Sequence, residues 1–374
     1  MIIFLNFAPI EFMGGAEKWM LETAKEVNKK EHTIIVDVSA YIANIYGKLV
    51  LKRDFKSHSE ELVRKVSPER LTLKIRSFIP YTKQWRETKN TFKKSRIVYS
   101  KFEILEILIC LYFGGLSIFK KTVAGIILSP QYYSSETFFQ KIHNLLYSSS
   151  LYRFFLRNSY KVHVLNKRDE IYLKTKFNLG KITYIPLGVA IPIIKSKSDI
   201  RRKKNELQII FVGELSFRKG IDTLCEIIIN SPKKFIFNII GDGPMKKNII
   251  GLTRTNKNYH YYGYVDNKEL SKIYAKCDVI VFPSRAESFG LAMVEAASYG
   301  LRIVNSKEVS LNLPSYIEHT INERNPKKYL LELEKILVEK KNNKIQRDKI
   351  RQYTIDNFSV TVANSIFMKK ILDF

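Results

Sequence analysis

Cysteine is scarce in this chain: three residues in 374, Cys110, Cys225 and Cys277, too widely scattered to frame disulfides or a zinc site. A reducing, cytoplasmic setting is the expectation. Long apolar runs are missing too. Leu105–Phe119 is strongly apolar, but it falls short of the ~20 residues a helix needs to cross a bilayer. Gly114 and Gly115 interrupt it, so it is predicted as a buried helix. Met1–Phe7 is apolar without a basic leader, and no signal peptide is expected. There is no low-complexity tract, no G-x-G-x-x-G fingerprint of an ordinary dinucleotide site, and no metal-ligand cluster of His, Cys, Asp and Glu.

Acid is the underrepresented charge: 36 Asp and Glu against 63 Lys and Arg, a net charge of +27. That excess attracts something anionic without naming it. Lys48–Lys101 is densest, with sixteen Lys/Arg against five Asp/Glu, and Phe55, Phe78, Tyr81, Trp85 and Phe92 lie among them. Three readings stay open: a solvated lysine-rich surface, an anionic membrane-surface patch with aromatic anchors, or a nucleic-acid patch. No nucleic-acid module signature accompanies the charge, so a nucleic-acid partner is not expected.

A length of 374 residues exceeds one ordinary core, and two domains are expected. Short apolar strands alternate with helical patterns. Strands are predicted at Ile2–Phe7, Thr33–Val38, Arg96–Ser100, Thr122–Leu128, Tyr160–Asn166 and Ile182–Pro186, with helices from Gly14 to Asn28, Glu103–Phe113 and Asp169–Lys176. The basic region between reads as helices and loops. Pro186–Leu207, with its prolines and Lys/Ser/Arg run, reads as the linker. Alternation restarts with strands Gln208–Val212, Phe235–Ile240, Tyr261–Val265, Val279–Phe282 and Arg302–Ser306 and helices Ile221–Asn230 and Asp266–Ala275, the latter opened by an Asp266/Glu269 capping box. Three helical stretches close the chain, Pro326–Lys341, Lys344–Asn357 and Val360–Leu372. The fold class is α/β with parallel sheets.

Two stretches carry chemistry. Val281–Ala297 runs from an apolar strand through Pro283 into a helix that reads as apolar on nearly every face, yet holds Glu295. A carboxylate buried there needs a cation, donors or a ligand. Glu287 lies eight residues earlier; were the interval fully helical, the two would stand ~12 Å apart on one face. Gly290 lets helix-start N–H groups approach phosphate. The second stretch is Gly213–Gly220, where Arg218 and Lys219 put two cations at a helix start, against the helix dipole. An anion facing them would justify that; a solvated basic turn is the plainer reading. Gly14-Gly15 at the first strand–helix turn could likewise admit phosphate or serve packing alone.

With Pro283-Ser284 before it and Phe289-Gly290 inside it, the Glu287/Glu295 spacing resembles the E-x7-E motif of retaining glycosyltransferases of family 4, in its P-S-x-x-E-x-F-G-L context. Gly14-Gly15-Ala16-Glu17 is similar to that family's G-G-x-E, Ile185–Val189 to its I-P-N-G-V, Gly213–Gly220 to G-R-L-x-x-x-K-G, and Gly241–Pro244 to G-x-G-P. The resemblance implies a GT-B fold: two Rossmann-like domains with parallel sheets facing across a cleft and a C-terminal helix crossing back. It divides the chain into an acceptor domain, 1–190 with 358–374 packing back, and a donor domain, 191–357. It implies metal-independent, retaining transfer of a hexose from a UDP- or GDP-sugar to a glycan, lipid-linked or other acceptor, with the donor as substrate and no resident cofactor.

In that scheme Lys219 and Arg218 stabilise the leaving diphosphate, Glu287 holds hexose hydroxyls and Glu295 the ribose. Gly14, Gly15, Gly213, Gly241, Gly243, Val265, Ser288, Phe289, Gly290 and Leu291 complete the donor site, with Gly263-Tyr264-Val265 at the nucleobase. Two departures stand out. Glu214 occupies the family's arginine position, with Arg218 as the substitute, and no His follows the strand at Thr122–Leu128. His163, inside an apolar strand, reads as core. A GT-B nucleotide-sugar epimerase and a non-catalytic anion or nucleic-acid binder remain the alternatives. Cytoplasmic location is expected, free or peripheral at the membrane's inner face.

Overall fold

The structure, a computed structural model, describes residues 1–7, 15–39, 41–42, 68–126, 142, 145–192, 203–253, 258–342 and 346–374. It divides into two units: Met1–Leu187 with Ala363–Phe374, and Gly188–Val362.

Unit 1 holds strands β1 (Ile2–Asn6), β2 (Thr33–Val38), β3 (Glu69–Leu73), β4 (Ile97–Ser100), β5 (Thr122–Ile126), β6 (Lys161–Val164) and β7 (Ile182–Tyr184). They form one parallel sheet in the order β3-β2-β1-β4-β5-β6-β7. Every residue of β1, β2 and β4 is buried, as expected of strands covered on both faces. The helices are α1 (Gly15–Asn28), α2 (Lys83–Lys94), α3 (Ile104–Gly114), α4 (Ser150–Asn158) and α5 (Lys167–Phe177). The segment Ala363–Phe374 packs into this unit through Phe367, whose ring meets Phe4, Trp19, Tyr99 and His163. His163 is core: Tyr99 Oη lies 2.9 Å from its Nδ1 and Ile185 O 2.9 Å from its Nε2, and burial lowers its pKa to about 4.

Unit 2 holds β8 (Leu207–Val212), β9 (Phe235–Ile240), β10 (Tyr259–Gly263), β11 (Val279–Phe282), β12 (Arg302–Ser306) and β13 (Glu318–Ile321). Their order is β10-β9-β8-β11-β12-β13, again all parallel. Its helices are α6 (Ile221–Ile229), α7 (Lys246–Thr253), α8 (Asn267–Lys276), α9 (Leu291–Ser298), α10 (Pro326–Lys341) and α11 (Arg347–Phe358); α12 (Val360–Ile371) leads into unit 1. Buried Asp278 pins α10 and α11 to the sheet, accepting from Lys340 Nζ at 2.6 Å, Arg347 at 2.5 Å and Gln208 N at 2.9 Å. Removing one member would strand a buried charge, at a cost of about 3–5 kcal/mol.

Several expectations need correction. The basic region contains a strand, β3. The third strand of unit 2 is Tyr259–Gly263 rather than Tyr261–Val265: its ladder starts with Tyr259 opposite Phe237 and ends with Gly263 opposite Ile240, the last residue of β9, so Val265 sits in the loop before α8. The apolar run at Leu105–Phe119 is not wholly buried: its helix stops at Gly114, and Leu108, Tyr112 and Leu116 are exposed. Strand β13 and helices α4 and α7 have no counterpart in the sequence pattern either. Of the capping box at Asp266, the bond from Glu269 N to Asp266 Oδ1 is present at 2.8 Å, while the Glu269 side chain pairs with Lys272.

Candidate functional site

In an open parallel sheet the natural ligand position is outside the carboxyl ends of the strands, where the strand order reverses direction. In unit 2 that point lies between β8 and β11. The loops after those two strands are Gly213–Gly220 and Pro283–Gly290, the stretches singled out from the sequence.

Backbone hydrogen bonds tie these loops together. Gly213 N donates to Ile240 O at 3.1 Å, Leu215 N to Asp242 O at 2.9 Å, Gly241 N to Gly263 O at 2.8 Å and Arg285 N to Arg218 O at 2.8 Å. The approach is so close that side chains would not fit. A Cβ on Gly241 would lie 1.8 Å from Gly213 O, and one on Gly220 2.0 Å from Pro283 O; both residues also have positive φ, at 134° and 71°. Glycine is the residue that tolerates both conditions.

Lys219 ends a short 3₁₀ turn, Phe217–Lys219, just before α6. Its stem passes Gly213, its ammonium lies 5.1 Å from the centre of the Phe282 ring, and Nζ contacts Glu287 Oε1. Both side chains are nearly buried, at 12% and 11% exposure. Burial, then the neighbouring Arg218 guanidinium, lowers the Lys219 pKa to about 7, and Glu214 opposes them. The touching Glu287 carboxylate also opposes, by favouring the charged ammonium. Arg218 is half-exposed. It donates to Ala286 O at 3.1 Å, lies 3.4 Å from Glu214 Oε2 and 3.8 Å from Glu287 Oε1. Glu214, where an arginine was expected, is thus an acceptor for Arg218.

Gly290 caps α9 in a left-handed conformation, and the first-turn N–H groups of such a helix lack intrahelical acceptors. Helix α9 begins at Leu291, so Glu287, Ser288 and Phe289 are in the loop, and the fully helical spacing to Glu295 does not apply. Phe289 is buried, its ring 6.1 Å from Phe358. Glu295 is half-buried rather than buried. Met293, Val294, Ala296 and Ala297 face the core, whereas Leu291, Ala292, Glu295 and Tyr299 share a half-open face. Tyr274 hydrogen-bonds Glu295, and its hydroxyl pKa is raised, chiefly by burial and then by that carboxylate.

One contributor was missed. Arg285 holds Asp222 with two bonds, 2.7 and 2.5 Å, donates to Phe217 O at 2.6 Å and stacks 3.7 Å over the Phe217 ring. Arg285 lowers the Asp222 pKa against the opposing effect of burial. This clamp fixes the turn that carries Arg218 and Lys219. Gly14 lies outside the described residues, and Gly15 opens α1 in unit 1. The position after β5 where a His was sought, Ile127–Pro130, is also outside them. Among the described residues no group of three or more His, Cys, Asp or Glu could hold a metal ion, and no helix is long and apolar enough to cross a membrane.

Residues 193–356 match the family "Glycosyl transferases group 1". An uncharacterized 41.2 kDa protein in the cps region of Klebsiella pneumoniae is 39% identical over 119 residues, 32% of either chain. An uncharacterized glycosyltransferase of Methanocaldococcus jannaschii, MJ1607, is 28% identical over 188 residues, 46% of this chain and 47% of that one. These matches span about a third to a half of the relatives' lengths. Among solved structures, Anabaena Alr3699/HepE in complex with UDP and glucose superposes with a TM-score of 0.73 over 100% of this chain and 99% of that one at 15% identity, a likeness of the GT-B fold.

Proposed function

We propose, on the premise that this chain belongs through residues 193–356 to the glycosyl transferases group 1, that it is a family 4 retaining glycosyltransferase. It moves a hexose from a UDP- or GDP-sugar to a glycan or lipid-linked acceptor, peripheral at an anionic membrane surface. The observation that carries the reading is the Lys219–Glu287 contact at the reversal point of the unit 2 sheet, with Arg218 beside it and the α9 N-terminus in the adjoining loop.

The reaction breaks the bond between the sugar's anomeric carbon and the diphosphate, and forms one from that carbon to an acceptor oxygen, whose proton passes to the departing diphosphate. Negative charge grows on the diphosphate as it departs. Pre-placed cations act most strongly on such growing charge in a site poor in water. Lys219, held by burial and the Arg285–Asp222 clamp, meets the diphosphate, and Arg218 reaches it from the rim. These two cations fill the role a divalent metal would otherwise take. Entry of the donor draws the ammonium from Glu287 to phosphate, and the freed carboxylate accepts from hexose hydroxyls. Glu295, on the half-open face of α9, accepts from the ribose. Gly241 and Gly243 let their loop pack backbone to backbone on Gly213 and Leu215, where a Cβ would clash, and so hold the Gly213 loop beside the nucleotide; Val265, Ser288, Gly290 and Leu291 line the space.

Thermal denaturation with UDP and with GDP tests this. One of the two nucleotides should raise the midpoint in the wild type and not in Lys219→Ala. Absence of any shift with either would remove the donor-site reading. Radiolabelled UDP- and GDP-sugars incubated with lipid extract then identify the donor.

A further inference from the structure

Unit 1 has its own reversal point, between β1 and β4, and an apolar groove lies near it. The cavity, about 500 Å³, is lined by Phe7 just after β1, by Ile75 and Phe78 of the 3₁₀ turn Ile75–Phe78, and by Leu105, Leu108 and Tyr112 of α3. A helix as apolar as α3 is normally covered all round. Here one face is open: Leu108 is 53% exposed, beside Ile75 at 57%. Ile79, Tyr81 and Leu116 add further exposed apolar surface. Tyr112 Oη donates to Phe78 O at 2.6 Å, fixing α3 against the 3₁₀ turn, so this exposure belongs to packed structure.

The rim is cationic. Between Lys74 and Lys94 there are seven Lys or Arg and one acid, Glu87, and Lys74, Arg76, Lys83 and Arg86 are exposed. Apolar and aromatic side chains ringed by cations match the interfacial layer of a bilayer with anionic headgroups. A solvated lysine-rich surface would not explain the open apolar face, and a nucleic-acid surface would not need a greasy groove.

We propose that this face docks unit 1 on an anionic lipid bilayer and that the groove seats one hydrocarbon chain of a bilayer lipid. It deepens the membrane part of the function proposed above by naming the surface and its partner, and it favours the lipid-linked class of acceptor. Donor binding belongs to unit 2, so the two readings fail separately.

Full-length protein is sedimented with vesicles of phosphatidylcholine alone and of phosphatidylcholine with phosphatidylglycerol. Wild type should bind the anionic vesicles. The double variant Ile75→Gln, Leu108→Gln should bind at least tenfold more weakly, while Leu331→Gln, at an equally exposed site of unit 2 (63%), should bind as wild type does. Each of Lys74→Gln, Arg76→Gln and Lys83→Gln should weaken binding about fivefold, from ~1 kcal/mol per basic residue near the surface. In about 1 M salt, where the Debye length is ~3 Å, the cationic contribution disappears and the apolar one stays. Failure to bind anionic vesicles overturns the proposal. So does binding abolished by salt yet indifferent to Ile75 and Leu108, which would reduce it to the attraction of a net +27 chain. A ligand-free thermal midpoint and circular dichroism spectrum like those of wild type, measured for every variant, show that each is folded.

Discussion

The two sheets reverse strand order in the same way, between β1 and β4 in unit 1 and between β8 and β11 in unit 2, yet the chain furnishes the two points with different chemistry. In unit 2 the crevice is polar: Lys219 on Glu287, Arg218 alongside, backbone loops bonded edge to edge. In unit 1 a fully buried acid, Glu106, accepts from Phe7 N at 2.9 Å and Ser100 Oγ at 2.7 Å, and the neighbouring groove is apolar. Topology supplies a place for a ligand in both halves; side-chain charge decides which ligand. A polar crevice whose lysine and arginine can turn to phosphate suits a diphosphate, and an apolar one a lipid.

The largest expected effect comes from removing the cation of unit 2. Lys219→Ala should lower sugar transfer about 10²–10³-fold, the usual loss when one preorganised group for developing negative charge is deleted. Transfer rates at saturating donor check it. An unchanged rate would make the two crevices equivalent in kind.

Glu106 sharpens the contrast from the other side. Burial raises its pKa to about 7, opposed by Lys101 and by the bonds from Ser100 and Phe7. With the folded value above the ordinary glutamate value of about 4.5, the stabilising contribution is complete below about 4.5 and is lost as pH rises through about 7. At 1.36 kcal/mol per unit, the loss across that window approaches ~3 kcal/mol. Denaturant unfolding at about pH 5 and about pH 8 isolates it by subtraction: between the two pH values wild type should lose about that much more stability than Glu106→Gln, since buried His163 and Lys219 contribute alike to both proteins.

Arg285→Ala should have a smaller effect, about 1–2 kcal/mol, because its partner Asp222 is partly exposed and water screens the pair. Donor affinity should fall with it, since the turn bearing Lys219 loses its clamp. Denaturant midpoints and titration with the nucleotide that raises the thermal midpoint report the two consequences.

Local pattern made much of this legible. The apolar run Val279–Phe282, broken by Pro283 and followed by a helical stretch to Gly300, marks β11, its loop and α9, and the Gly213–Gly220 loop announced itself by its paired cations. What escaped depends on distant partners. Arg285 and Asp222 are 63 residues apart, and neither looks unusual where it stands. β13 reads Glu-His-Thr-Ile, too polar for a buried strand until Glu318 is seen accepting from Leu311 N, Leu313 N and Asn305 Nδ2. Glu295 was assigned to a buried helix because its neighbours in sequence are apolar; the half-open face it shares with Leu291 and Tyr299 is decided by what packs against α9. Open surface on α3 likewise cannot be read from an unbroken apolar run.

Burial lowers the Lys219 pKa, to about 7, and a diphosphate replacing Glu287 as its partner should raise it and hold the ammonium charged. Calorimetric titration of UDP or GDP, whichever raises the thermal midpoint, in two buffers of different ionisation enthalpy measures this directly. Near pH 8 binding should take up a proton, and affinity should be about tenfold weaker than near pH 6, following the one-unit-per-decade cost of protonation. Equal affinity at both pH values, with heats independent of the buffer, would contradict it.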